Sequence, residues 1–163
     1  IKRSTDRNEL EAKIIQSRQQ PYVDGNCFWY GYQILENADN VTNILKTDLH
    51  RNKALIPAYT HMHDGKPDKV KGLTEVFTED MHFLTWNKPK DQHNPENAQM
   101  YVIYRFKKGE KVNINRSQNI ISVTRDNFFV LPFERGGNKY TYVVTALDAF
   151  NNEGKIAKIK VKL

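Results

Sequence analysis

The sequence predicts a mainly β protein, an antiparallel β-sandwich preceded by a helix, strand, helix unit. Three observations carry that reading. From Pro67 onward the chain breaks into short alternating segments divided by turns rich in Pro, Gly and Asn. Before it, two stretches of helical periodicity flank one run, Gly25 to Leu35, that is apolar on both strand parities. The 163 residues, 39% hydrophobic and 11% aromatic, suffice for one ordinary domain, or a small one with an appendage.

The first element is a helix from about Thr5 to Gln19. Ser4, Thr5 or Asp6 offers a cap, Leu10, Ile14 and Ile15 line one face, and Pro21 closes it. The run "GNCFWYGYQIL" follows within a strand region from Tyr22 to Leu35. Its bulk on both parities is the habit of a strand covered on both faces inside a parallel sheet. A second helix is expected from Asp39 or Asn40 to about Arg51, with Val41, Ile44, Leu45 and Leu49 at helical spacing. One strand has no ladder partner of its own, so this unit reads as a slice of an alternating β/α fold whose remainder lies before Ile1.

"ALIPAYTHMHDGKPDKVKG", with Pro57, Gly65, Pro67 and Gly72, ends the helical pattern. The division falls at residues 1–66 and 67–163. "MHFLTW", "AQMYVIYRF", "NIISVT", "NFFVLPF", "KYTYVVTALD" and "KIAKIKVKL" are strand candidates, with a weaker one from Leu73 to Phe77. Strands of this number and rhythm are those of a sandwich of two sheets. Tyr140, Tyr142, Val144 and Ala146 share one parity, and Leu84 falls with Trp86. Met100, Val102, Tyr104 and Phe106 form the more apolar parity of their strand.

The net charge of +6 matters less than its distribution. The lysines are scattered except in the tail, where Lys158, Lys160 and Lys162 alternate with Ile159, Val161 and Leu163 as in a half-buried strand guarding a sheet edge. No basic cluster converges with stacking aromatics, so nucleic acid is not an expected partner. No run is long enough for a membrane span. Cys27, the only cysteine, excludes an internal disulfide and reads as inert packing in the apolar strand. A first residue of Ile1 and the absence of a signal-like apolar core point to part of a longer or processed polypeptide.

Leu84 and Trp86 ahead of Pro89, the strand "MYVIYRF", and Leu131 followed by "YTYVVTALDAFNNEG" make the second half resemble a fibronectin type III-like domain. The resemblance maps Tyr140 to that family's tyrosine corner, whereas His82 stands where an apolar residue is usual. Taken with "GNCFWYGYQIL" and "NKALIPAY", most of the chain is similar to the C-terminal end of the glycosyl hydrolase-like family 10 proteins of Bacteroidetes. That family carries more prolines where this chain has only Pro57. The resemblance implies that Gly25 to Leu35 is the last strand of a (β/α)8 barrel and the sandwich an accessory domain packed on it. It further implies a glycoside hydrolase parent, exported to the periplasm or cell surface, with this chain alone inactive. The catalytic barrel is then the expected partner, with glycan a further one.

Glycosidic cleavage uses two carboxylates held about 5–10 Å apart. Glu36 follows the aromatic run alone and Asp24 lies at its wrong end, so no catalytic residue is assigned. Trp29, Tyr30 and Tyr32 are the candidate substrate-binding residues of the intact enzyme, because sugar faces stack on aromatics at barrel mouths. They compete with a plain packing role. His61, His63 and Asp64 lack a further ligand nearby, so neither metal nor cofactor is expected. The sequons at Asn40 and Asn115 carry no weight. The alternative function is a carbohydrate- or protein-binding sandwich module, for which an exposed planar aromatic cluster on one sheet face is the mark.

Overall fold

In the computed structural model, residues 7–163 are described apart from Asp24, Tyr30, Asp80 and Gln92. The chain divides into two compact units between Asn52 and Lys53.

In the first unit, α1 spans Arg7–Arg18. The expected caps at Ser4, Thr5 and Asp6 lie outside the described residues. A second helical stretch follows, made of a 3-10 turn at Ala38–Asn40, α3 at Val41–Ile44 and a π-helical turn at Leu45–Leu49. Asn37 and Asn40 both adopt left-handed φ, a conformation asparagine tolerates, and the Asn37 carboxamide oxygen accepts the Thr42 N–H at 3.0 Å. Ile14, Ile44 and Leu49 form a small core with Leu10, Phe28 and Leu45 packed against it. The Arg18 guanidinium donates to the Leu49 carbonyl and ties the ends of the two helical stretches together.

The strand expected over Gly25 to Leu35 is not formed. Described residues there carry no strand, and α2, Tyr32–Leu35, is a single helical turn. A lone strand leaves its peptide groups unpaired, whereas a helical turn satisfies them locally, as in the bond from the Glu36 N–H to the Tyr32 carbonyl at 2.9 Å. Cys27, expected in packing, is exposed.

The second unit is built from seven strands, β1 Thr74–Phe77, β2 His82–Thr85, β3 Met100–Lys107, β4 Ile120–Thr124, β5 Phe128–Val130, β6 Lys139–Leu147 and β7 Ala157–Lys162. All pairings are antiparallel, in sheets ordered β1-β2-β5 and β4-β3-β6-β7. Each expected strand segment forms one of these strands. The core between the sheets joins Leu84 and Trp86 to Tyr101, Ile103, Tyr142, Val144, Ala146, Ala157 and Val161.

The four-stranded sheet is apolar on its other face too. Val102, Tyr104, Phe106 and Val143 are buried there beneath Leu55, Val112 and Ile114. Residues 53–66 therefore run along the sandwich. Lys53 Nζ donates to the Ile121 carbonyl at 2.9 Å, the Tyr59 N–H donates to the Phe150 carbonyl at 2.9 Å, and Asn152 Nδ2 donates to the His63 carbonyl at 2.9 Å.

Candidate functional site

The sequence-predicted aromatics lie in the first unit. Trp29 sits in a bend and is 84% exposed, and Tyr32 opens α2 at 68% exposed. Tyr30 lies outside the described residues. Glu36 caps the end of α2 as a backbone donor. The histidines of "HMHD" turn to separate partners. His61 meets the Tyr59 ring edge-on, and His63 lies against Phe150 with its Nδ1 3.9 Å from Glu96. Among the described residues, no group of three or more His, Cys, Asp or Glu is placed to hold a metal ion.

The feature the sequence reading missed is the outer face of the three-stranded sheet. Leu84 and Phe129 are paired across strands and point to the core, so their neighbours point away from it. Val76, Phe83 and Val130 line up across the three strands in one outward row, and Phe128 lies beside Phe83 in the next. Phe128 and Val130 are about half exposed, at 47% and 48%. An outward face of an antiparallel sheet is normally polar, and here only Thr74 and Thr85 keep that habit. The signal lay in "NFFVLPF", whose apolar residues occupy both parities. The Phe83 and Phe128 rings meet at 79°, edge to face with centroids 6.5 Å apart. They therefore present no flat platform.

At the start of β6, Tyr140 donates to Glu134 Oε2 at 2.6 Å, Asn138 Nδ2 donates to the same oxygen at 3.2 Å, and Arg105 donates to Oε1 at 2.8 Å. The guanidinium also lies over the Tyr140 ring, 4.8 Å from its centre. The Tyr140 hydroxyl, followed by the Asn138 amide and Arg105, holds the Glu134 carboxyl below its ordinary range. The same bond pushes the Tyr140 phenol up. The hydroxyl thus reaches back to a side chain instead of a backbone group, and the cluster is a structural lock. On the other face of the same sheet, Glu153 accepts from Tyr104 at 2.7 Å and from Thr145 at 2.5 Å. Burial first, and then that carboxylate, drive the Tyr104 phenol far above its usual value. Each of these carboxylates is held by donors from its own domain.

No family model matches the chain. It is 29% identical over 161 residues to Glycosyl hydrolase YngK of Bacillus subtilis (strain 168), which takes in 97% of this chain and 31% of that protein. The chain thus spans about a third of that curated relative. Among solved structures it is similar to FN3tt mut, with 19% identity and a TM-score of 0.42 over 58% of this chain and 93% of that one. It is also similar to the FN5 domain of Drosophila Lar, with 18% identity and a TM-score of 0.40 over 59% and 95%. The glycoside hydrolase domain of Endo-D from Streptococcus pneumoniae R6 matches at 13% identity and a TM-score of 0.40 over 60% and 15%.

Proposed function

We propose that this chain is the non-catalytic C-terminal portion of a glycoside hydrolase, and that its sandwich is an accessory domain packed on the catalytic barrel. The observation that carries the proposal is the outward row Val76, Phe83 and Val130 with Phe128 beside it, an apolar face on a sheet already covered on its other side. The similarity to Glycosyl hydrolase YngK along nearly the whole chain supports the choice of partner. A carbohydrate-binding module would stack sugars on coplanar rings, and the 79° angle between Phe83 and Phe128 favours a packing surface instead. Trp29 and Tyr32, exposed in the first unit, and Tyr30 with them, are assigned to the sugar-facing or barrel-facing surface of the intact protein.

The test is a triple substitution, Phe83→Thr, Phe128→Thr and Val130→Thr, made both in this chain and in the longer polypeptide. Thermal unfolding of this chain should change little, whereas the catalytic part of the long form should unfold earlier and separately from the sandwich. Unchanged co-operative unfolding of the long form would remove this face as the contact.

A further inference from the structure

A second surface lies at the far end of the four-stranded sheet, where the turn after β3, the start of β6 and the end of β7 come together. There Lys108, Lys139, Lys160 and Lys162 line a recess of about 490 Å³ with Thr141 and Gly109. Lys139 and Lys162 are directly cross-strand, as are Thr141 and Lys160, so these side chains emerge from one face. Lys162 lies across Gly137, where a Cβ would come within 2.9 Å of its Cε. Backbone bonds from Lys108 to the Lys139 carbonyl at 3.1 Å and from Leu163 to the Asn138 carbonyl at 2.8 Å hold the three strand ends together.

Like charges placed directly opposite each other destabilise a sheet unless something neutralises them. None of the four lysines has a carboxylate within ion-pair distance among the described residues. The acids of the adjoining turns are committed elsewhere. Glu110 accepts from the Lys107 N–H at 3.0 Å and from Asn119 at 3.1 Å, and Glu134 belongs to the Arg105 and Tyr140 lock. Edge protection accounts for lysines on β7, the edge strand. It does not account for Lys139 on the interior strand β6 or for Lys108 in the turn.

We infer that this recess binds a linear polyanionic glycan bearing carboxylate or sulfate groups. Lys158, Lys160 and Lys162 recur at every second position of one strand, which spaces their stems by roughly 6.6 Å along it. That ladder matches a chain of repeating charges better than a single small anion. The lining residues include no exposed apolar side chain to anchor in a lipid surface. Nor do they include an aromatic free to stack on a base, since Tyr140 is held by Glu134 and Arg105. The choice of a glycan over other polyanions rests on the glycosidase reading. The site itself rests on the lysines alone.

The experiment is equilibrium binding of the 163-residue chain to polygalacturonate and to dextran sulfate at low ionic strength, with neutral dextran, double-stranded DNA and anionic vesicles alongside. The expected result is binding to at least one charged glycan, weakened about tenfold in the variant Lys160→Gln/Lys162→Gln and suppressed by added salt. Which of the two binds decides between carboxylate and sulfate. The variant Lys66→Gln/Lys155→Gln removes equal charge outside the recess and should bind as the parent does. Equal loss in both variants, or equal binding of neutral dextran, would overturn the site. Tighter binding of DNA or vesicles than of either glycan would overturn the ligand class. No hydrolysis is read, so a failure of the glycosidase reading would show in the long form's activity and leave this result standing.

Discussion

Replacing Leu84 by alanine and, separately, Phe128 by threonine sets the two faces of the three-stranded sheet against each other. Leu84 is fully buried between the sheets. Its truncation removes buried methyl groups and leaves a cavity that the paired strands cannot fill, a loss of about 2–5 kcal/mol. Phe128 is 47% exposed on the outer face, and threonine suits a strand, so that substitution should cost under about 1 kcal/mol. Urea unfolding of the whole chain reads both. With an m-value of about 2 kcal/mol per molar, Leu84→Ala should lower the midpoint by roughly 1–2.5 M, while Phe128→Thr should leave it nearly in place. A loss at Phe128 equal to that at Leu84 would mean that the outer face is covered in the isolated chain, and the docking surface would have to be sought elsewhere.

Two further outcomes follow from contacts described above. Because Tyr140, Asn138 and Arg105 depress the folded pKa of Glu134, its contribution to stability is present above the unfolded value of about 4.3 and is lost as pH falls through the folded one. The deficit of Glu134→Gln in urea midpoints should therefore be largest near neutrality and shrink as pH falls below the unfolded value, and a deficit independent of pH would contradict this. Gly154→Ala would place a Cβ 2.6 Å from the Pro67 carbonyl oxygen, a clash with backbone that should cost about 1–3 kcal/mol and lower the thermal midpoint, where an unchanged midpoint would show that this approach is loose.

The sandwich was legible because turn residues and alternation are local, and local signals survive without knowledge of contacts. What was not legible is which buried face meets which cover. Met100, Val102, Tyr104 and Phe106 carry the more apolar parity of β3, yet Tyr101 and Ile103 are the β3 residues that join the core between the sheets. The other face is covered by Leu55, Val112 and Ile114, which come from irregular segments that no periodicity marks. His82, out of place by pattern, stacks on Phe77 at 3.9 Å and bonds Glu75 at 2.7 Å, so its polarity is answered across the strand pair. The aromatic run misled for the complementary reason. Apolar residues on both parities show what a strand needs in order to be covered, and they do not supply the neighbouring strand, so Trp29, Tyr32 and Leu35 stand exposed around a helical turn. Of the candidate site, the exposed Trp29 and Tyr32 were named from the sequence, whereas the outward row of β1, β2 and β5 became visible only once register was known.

The path of residues 53–66 along the sandwich has a mechanical consequence. The segment is fixed at separate points, by Lys53 to Ile121, by Leu55 beneath the sheet, by Tyr59 to Phe150 and by the His63 carbonyl to Asn152. Tension arriving from the N-terminal side meets these attachments before it reaches β1, and meets them one after another. Because these attachments are single hydrogen bonds and one packed side chain rather than a strand ladder, a steady pull should strip them one by one before it draws β1 from β2.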